Sequence, residues 1–171
     1  MKILIIRHGL AEDRESFATT GRSDTQRPLT DKGKKRMRQT VKGLKHFEEE
    51  LDFLISSPLA RARETAEIIE KAYPTARRFE YLDLSPGYGA AKVAAKLREL
   101  PADSVVALVG HEPDLSELVA WLTAGTSFGF LRLKRGGVCA LETPGAPDAG
   151  KAELVWALSG SQLRMVHNLD V

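Results

Sequence analysis

The chain has 171 residues, of which 43% are hydrophobic and 28% charged, a composition typical of a folded domain with its own core. Its formal net charge of +2, from 25 lysines and arginines against 23 aspartates and glutamates, argues against a general nucleic-acid-binding protein. The single cysteine, Cys139, cannot form a disulfide within the chain. We expect no signal peptide, and no apolar run approaches the ~20 residues that span a membrane. We therefore expect a cytoplasmic protein without a membrane anchor.

The stretch Ile3–Gly9 reads ILIIRHG and predicts the first strand. Four apolar residues, three of them β-branched, are typical of a short strand buried on both faces, as in a parallel sheet. Sites of α/β proteins lie at the carboxyl ends of such strands. Arg7 and His8 therefore stand where a ligand is expected, and Gly9 would let the backbone pass close to it.

The segment from residue 10 to residue 28 is charged and has no clear period, so it is either a functional loop or a solvated one. Thr30 then favours the start of a helix. The apolar face of this helix carries Met37, Val41, Leu44, Phe47 and Leu51. The opposite face is basic, and it is either simply solvated or able to bind an acidic partner; its cations are Lys34, Lys35, Arg36, Arg38, Lys42 and Lys45.

Leu51–Ser56 predicts a second buried strand, and Ser57 with Pro58 favours a helix that starts directly after it. Arg61 then falls in the first helical turn, where the helix dipole disfavours a cation. An anion bound at this helix start would explain the placement. A salt bridge within the same helix is the structural alternative.

The middle of the chain predicts two further strands. Arg77–Leu84 alternates and is less apolar, which indicates a strand near an edge of the sheet. Ala90–Leu100 has the pattern of a helix, and Ser104–Val109 is the most apolar run and indicates a central strand. His111 lies in the turn after that strand, and a capping box starting at Asp114 is predicted to open the next helix.

The last third of the chain predicts antiparallel strands. Phe128–Leu133, Gly137–Thr143 and Glu153–Leu158 alternate between apolar and polar residues and are separated by turn-forming segments. Ser161–Leu169 indicates a short terminal helix. The sequence thus predicts a single α/β domain over residues 1–171, with a mostly parallel central sheet and an antiparallel edge.

Three strand ends present Arg7, His8, Arg61 and His111. Two guanidiniums and two imidazoles in one crevice suit a dianionic phosphoryl group, because arginine pairs with phosphate oxygens and histidine can attack phosphorus. A protonated second histidine would stabilise an equatorial oxygen. Metal binding by the histidines is the alternative use, but adjacent arginines would repel a divalent cation.

These residues also carry a family resemblance. Arg7-His8-Gly9 after a first strand resembles the signature of the histidine phosphatase superfamily. The segment SSPLARARETA, Ser56–Ala66, resembles the Ser-Pro-x-x-Arg-Ala-x-x-Thr-Ala segment of that family, with Arg61 at its phosphate-binding arginine. GHEP, Gly110–Pro113, is similar to its second histidine segment, and RPLTDKG, Arg27–Gly33, to the element that opens its first helix. The resemblance implies a three-layer α/β/α, phosphoglycerate mutase-like fold.

Within the superfamily, the chain is similar to the short SixA-type phosphohistidine phosphatases. The segment between Arg61 and His111 is too short for the large cap insertions of mutases and acid phosphatases. Arg27 before Pro-Leu-Thr and the segment Leu82–Pro86 also resemble that branch. The resemblance implies a metal-independent phosphatase that needs no cofactor and acts on a phosphorylated protein, such as a histidine phosphotransfer domain.

The implied mechanism makes His8 the nucleophile, which becomes phosphorylated and is then hydrolysed by water. Arg7, Arg61 and His111 would hold the phosphoryl oxygens, and Arg27 would help to bind the substrate. The glutamate acid of mutases has no clear match, so Asp83 or else Glu80 is the candidate proton donor; a phosphohistidine leaves as imidazole and needs an acid less. The alternative function is a broad phosphomonoesterase that acts on small molecules.

Overall fold

Six strands form one sheet with helices on both faces in the computed structural model, which describes residues 1–168. The strands are β1 (Lys2–Arg7), β2 (Phe53–Ser56), β3 (Arg77–Glu80), β4 (Val105–Gly110), β5 (Val138–Glu142) and β6 (Glu153–Leu158). The helices are α1 (Arg14–Ala18), α2 (Asp31–Leu44), α3 (Ala60–Glu70), α4 (Ala90–Leu97), α5 (Asp114–Ala124) and α6 (Gly160–Asn168). Two 3-10 turns cover Asp24–Gln26 and Leu82–Leu84.

The sheet order is β3-β2-β4-β1-β5-β6. Strands β1 to β4 pair in parallel, whereas β5 runs antiparallel to β1 and β6 antiparallel to β5. The predicted parallel sheet with an antiparallel edge is confirmed, as are the central place of β4 and the edge place of β3. Arg7 lies opposite Gly110, and Ser56 lies opposite Val109, so three strands end at the same edge of the sheet.

The core has two halves because each central strand is buried on both faces. Ile3 and Ile5 pack with the side chains of α4 and α5 on one face, and Leu4 and Ile6 pack with those of α2, α3 and α6 on the other. These four side chains in the middle of β1 are all fully buried. This arrangement gives the predicted three layers, and Cys139 of β5 lies in the core as a free cysteine.

Two glycines of α2 allow a close approach that any side chain would prevent. A β-carbon on Gly43 would lie 1.8 Å from the carbonyl oxygen of Leu163, so α2 and α6 pack backbone to backbone. A β-carbon on Gly33 would lie 2.0 Å from the carbonyl oxygen of Leu10. Gly33 is therefore what lets the start of α2 approach the loop after β1. Thr30 caps this helix as predicted, its hydroxyl accepting from the Gly33 N–H.

Several local predictions were wrong. Phe128–Leu133 is not a strand, because it lies beyond the ladder formed by β5 and β6, and Phe128 is 86% exposed. The predicted capping box is absent: α5 has Pro113 at its N-cap, and Asp114 instead accepts from the Gly87 N–H at 2.7 Å. Ser57 is not the N-cap of α3, since that position belongs to Leu59.

The remaining differences concern element ends. Helix α2 stops at Leu44, so Phe47 and Leu51 lie beyond it, and β3 stops at Glu80 rather than residue 84. The charged segment after β1 contains α1 and a 3-10 turn. The predicted terminal helix is present as α6, while its predicted last residue, Leu169, lies outside the described residues. No helix within residues 1–168 is both long and apolar enough to cross a membrane.

Candidate active site

A cavity of about 570 Å³ opens where β1, β2 and β4 end, and we call it the reaction cavity. The structure brings Arg7, His8, Arg61 and His111 to its wall, together with Arg27. The rest of the wall is formed by Leu10, Ala11, Glu12, Asp13, Arg14, Thr30, Pro86, Glu112 and Arg135. Residues from six separate parts of the chain thus meet at the position that the parallel sheet predicts.

His8 is held in one tautomer. Its Nδ1 lies 2.7 Å from the carbonyl oxygen of Gly9, so Nδ1 carries the proton and Nε2 keeps its lone pair. The side chain is only 7% exposed, and burial with the charges of Arg61, Arg7 and Arg27 lowers the pKa of His8 to about 3. The imidazole is therefore neutral at pH 7 and suited to nucleophilic attack.

His111 lies beside His8, with the two ring centroids 5.1 Å apart. Its Nε2 lies 2.9 Å from the hydroxyl oxygen of Ser57, and its buried Nδ1 has no partner among the described residues. Burial and the neighbouring His8 and Arg61 lower the pKa of His111 to about 3. With the protein's own charges alone the ring is neutral, so the protonated ring predicted from the sequence would need a bound anion. A bound phosphoryl dianion would raise that pKa.

Arg61 projects from the first turn of α3 and is 5% exposed. Its Nη1 donates to the carbonyl oxygen of Asp24 at 2.9 Å, and its Nη2 lies 3.2 Å from the Asp24 carboxylate. Burial lowers the pKa of Arg61, which the charge of Asp24 counteracts. The partner of Arg61 is thus a residue of the 3-10 turn rather than a glutamate of its own helix.

Arg27 shares that partner. Its Nε donates to Oδ1 of Asp24 at 2.7 Å, and its Nη1 donates to the carbonyl oxygen of Glu12 at 2.8 Å. Although burial acts to raise it, the pKa of Asp24 is lowered by the hydrogen bond from Arg27 and by the charge of Arg61. One ionised carboxylate therefore spaces two guanidiniums along the cavity wall.

Arg7 is positioned by the loop before β5. Its Nη1 donates to the carbonyl oxygen of Leu133 at 2.8 Å, and the Leu133 N–H donates to Oε1 of Glu112 at 2.7 Å. The other oxygen of Glu112 accepts from the backbone N–H and the hydroxyl of Ser116. Burial lowers the pKa of Arg7, and the charge of Glu112 opposes this. Glu112 thus fixes the loop that fixes Arg7.

The two candidate acids lie away from these groups. Asp83 is half-buried in the 3-10 turn Leu82–Leu84 and is not part of the cavity wall, although Pro86, three residues later, is. Glu80 lies 3.8 Å from Arg63 in an exposed ion pair, so Arg63 pairs across to β3 rather than along α3. The role of Asp83 stays a prediction.

Sequence reasoning missed the supporting residues of the site. Asp24 and Glu112 hold the three guanidiniums, Ser57 contacts His111, and the Thr65 hydroxyl accepts from the Gly9 N–H at 3.1 Å. Glu112 follows His111 directly in GHEP, which is the one signal that could have indicated it. The contact between Asp24 and Arg61 joins residues far apart in sequence and has no local signal.

The arrangement is suited to binding a tetrahedral oxyanion. Six buried side-chain atoms within residues 1–168 lack a hydrogen-bond partner, and three of them are Arg7 Nε, Arg61 Nε and His111 Nδ1. Two of these three are permanent donors on charged groups. No group of three or more potential metal ligands occurs within the same residues.

Comparisons with known proteins agree with this geometry. The sequence model of the histidine phosphatase superfamily (branch 1) matches residues 3–80. An uncharacterized protein of Picosynechococcus sp. is 34% identical over 148 residues, which cover 85% of this chain and 87% of that protein. Phosphohistidine phosphatase SixA of Escherichia coli is 28% identical over 168 residues, which cover 96% of this chain and 98% of that protein.

A solved structure is similar over nearly the whole chain. The structure of the protein histidine phosphatase SixA complexed with tungstate superimposes with a TM-score of 0.80 at 25% sequence identity. The match covers 95% of this chain and 99% of that one. The uncovered share is smaller than the segment from β5 to β6, so the likeness extends into the antiparallel edge, beyond the matched family region.

Proposed function

This chain belongs to the histidine phosphatase superfamily, branch 1, with a phosphoglycerate mutase-like fold, and from that premise we propose that it is a phosphohistidine protein phosphatase. The observation that carries the proposal is the neutral His8, whose Nδ1–H is held by the Gly9 carbonyl while its Nε2 remains free beside three guanidiniums. Tungstate in the SixA structure is a tetrahedral oxyanion like phosphate, which supports the same use of the cavity.

In the first step, His8 Nε2 attacks phosphorus in line with the bond to the substrate imidazole. The new bond joins Nε2 to phosphorus as the old phosphorus–nitrogen bond breaks, and the leaving nitrogen takes up a proton. In the second step, water attacks the phosphorylated His8, releasing inorganic phosphate and the neutral ring. The Gly9 carbonyl keeps the ring oriented in both steps.

The cations act on the phosphoryl oxygens. Arg7 and Arg61 keep their charge throughout and neutralise the oxygens of a loose transition state. His111 donates to a phosphoryl oxygen when the arriving dianion raises its pKa. Arg27 extends the cationic wall toward the rest of the substrate.

Proton delivery to the leaving group does not need a strong acid. Of the three carboxylates in the cavity wall, Asp13 caps α1, Glu112 is engaged by Leu133 and Ser116, and Glu12 is exposed to solvent. Asp83 would reach the substrate only from outside this wall. The imidazole of a phosphohistidine leaves more readily than an alkoxide, so a weak or solvent-borne acid suffices. This favours phosphohistidine over a sugar phosphate.

The partner is proposed to be an acidic phosphoprotein such as a histidine phosphotransfer domain. Basic residues of α2 would attract such a protein and raise its association rate. The related SixA proteins are described as phosphohistidine or protein histidine phosphatases, which supports this substrate class.

The test compares kcat/KM for a phosphohistidine-bearing phosphotransfer protein with kcat/KM for sugar and aryl phosphates. We expect the phosphohistidine protein to be preferred by about a hundredfold or more, since the leaving group and the docking surface both favour it. A preference for alkyl phosphates with a strong loss in Asp83→Ala would instead assign the alternative, a broad small-molecule phosphomonoesterase.

A further inference from the structure

A second cavity of about 440 Å³ lies beside the reaction cavity, and we call it the basic cavity. Its wall includes Arg36 of α2, Arg164 of α6, and Lys134 and Arg135 of the loop before β5. Arg7 and Arg135, with Leu10, line both cavities, so the two spaces share a wall.

The basic cavity lacks compensating negative charge. Its charged lining residues are five cations and no carboxylate, and Arg36, Lys134, Arg135 and Arg164 make no ion pair within residues 1–168. Lys34, also on α2, lies 3.5 Å from Glu64 and outside the basic cavity. Among the cations of α2, Arg36 is the one that lines this uncompensated cluster within the described residues.

Arg164 lies in an electrostatically unfavourable position. A β-carbon built on Gly160 would lie 3.2 Å from its Nη1, so the guanidinium lies over the first residue of α6, at the positive end of the helix dipole. Its hydrogen bond to the Thr40 hydroxyl is long, at 3.5 Å. Burial and the charge of Arg36 lower the pKa of Arg164. An anion bound between Arg36, Arg164 and the start of α6 would offset the repulsion between the two guanidiniums and the unfavourable helix dipole.

We propose that the basic cavity is a subsite for a carboxylate of the phosphorylated substrate, borne by an acidic residue near the phosphohistidine. The proposal rests on the proposed function and adds a determinant of substrate choice. Arginine side chains pair with planar carboxylates through two parallel hydrogen bonds, and the wall offers three arginines besides Arg7.

The shared wall is the reason to place this anion on the substrate. A group bound between Arg36 and Arg164 lies next to Arg135 and Arg7, and these two also face the phosphoryl group in the reaction cavity. One peptide segment can therefore occupy both cavities. A free anion such as inorganic phosphate has the same charge, and the experiment separates that source.

The experiment measures binding to a His8→Ala protein, which keeps both cavities but does not form the covalent intermediate. Two phosphohistidine peptides are compared by calorimetry, one with aspartates flanking the phosphohistidine and one with alanines. We expect the acidic peptide to bind about tenfold more tightly, because the flanking carboxylates make charge-assisted hydrogen bonds. Adding Arg36→Gln and Arg164→Gln should abolish that difference.

The matched control is Arg38→Gln, an exposed cation of α2 outside the basic cavity, which should leave the preference for the acidic peptide intact. Equal binding of the two peptides, or an equal loss of preference in Arg38→Gln, would overturn the subsite. The double variant Arg36→Gln and Arg164→Gln could also weaken the binding of inorganic phosphate while leaving the preference for the acidic peptide intact. That result would assign the cavity to a free anion and would overturn the proposed subsite as well. Failure of the wild type to turn over either peptide would contradict the proposed function while leaving the binding test interpretable.

Discussion

The reaction cavity and the basic cavity are neighbours that share Arg7 and Arg135 but hold their other cations in opposite ways. In the reaction cavity, Arg61 is 5% exposed and its two terminal nitrogens contact Asp24. In the basic cavity, Arg36 and Lys134 are exposed and make no ion pair within the described residues.

This difference in burial and pairing suits the two sets of cations to different roles, the reaction step in one cavity and substrate recognition in the other. A guanidinium that is already fixed can stabilise charge as it develops in a transition state without having to be ordered first. An exposed arginine must lose side-chain freedom when it binds, so it mainly attracts and orients an anion. Changes in the reaction cavity should therefore lower kcat, and changes in the basic cavity should raise KM.

The largest effect is expected from His8→Ala, because it removes the proposed nucleophile. Turnover of a phosphohistidine protein should fall by about ten-thousand-fold, since the remaining cations still bind the phosphoryl group but nothing receives it. Rapid quenching with labelled substrate should show an acid-labile, base-stable label on the wild type only. His167→Ala, a histidine of α6 outside both cavities, is the control.

Label that survives in His8→Ala would contradict the assignment of the nucleophile. The reaction cavity would then serve recognition, as the basic cavity does. Loss of label together with unchanged binding of inorganic phosphate would instead show that His8 acts in the chemical step and not in binding.

Glu112→Ala tests whether positioning, rather than charge alone, defines the reaction cavity. The substitution frees the Leu133 N–H, and with it the carbonyl that holds Arg7, so kcat should fall by roughly tenfold to a hundredfold with a smaller change in KM. Glu112→Gln keeps an oxygen for the Leu133 N–H and should recover most of kcat. Glu117→Ala, which removes a carboxylate in the first turn of the following helix α5, is the control.

A result in which Glu112→Gln is as damaging as Glu112→Ala would contradict the positioning role. It would mean that the negative charge near Arg7 matters, not the hydrogen bond to the loop.

Asp24→Asn separates orientation from electrostatic attraction. Losing one charge-assisted contact to Arg61 and Arg27 should lower kcat by about fivefold. Removing a negative charge beside two guanidiniums should at the same time tighten the binding of inorganic phosphate, because the cavity becomes more positive. Steady-state kinetics and phosphate titration measure the two changes, and Asp31→Asn on α2 is the control. Weaker phosphate binding in Asp24→Asn would contradict this.

The sequence was sufficient to predict the sheet and the meeting of Arg7, His8, Arg61 and His111 in one place. Each of these residues adjoins an apolar run or a helix start, so a local pattern marks it and parallel pairing brings the strand ends together. Phe128–Leu133 shows the limit of such patterns. Its alternation mimics a strand, yet the segment lies outside the ladder and supplies the carbonyl that holds Arg7.

The supporting contacts could not be predicted because they join distant parts of the chain. Asp24 precedes Arg61 by 37 residues, and Glu112 precedes Leu133 by 21. No periodicity or spacing in the sequence relates such pairs. The basic face of α2 was visible, but only the packing of α6 against α2 shows that Arg36 and Arg164 line the same cavity.

The smallest effect concerns stability, and it follows from the neutral histidines of the reaction cavity. Folding lowers the pKa of His8 and of His111 from an ordinary value of 6.5 to about 3. Between these values the unfolded chain binds protons that the folded chain does not, so the free energy of unfolding should fall as the pH falls below 6.5. The slope should reach at most about 1.4 kcal/mol per pH unit for each ring.

Denaturant unfolding at pH 7, 6 and 5 measures this slope, in a range above the titration of most carboxylates. A His8→Asn and His111→Asn double variant should lose less stability than the wild type over the same range, because it lacks both titrating rings. The basic cavity provides the contrast: its arginines do not titrate here, so Arg36→Gln should leave the slope unchanged. Parallel curves for the wild type and the double variant would mean that both imidazoles take up protons in the folded protein as readily as in the unfolded chain. His111 would then be a hydrogen-bond donor before the substrate arrives. The reaction cavity would then contain both arginines that are always charged and histidines whose charge depends on pH.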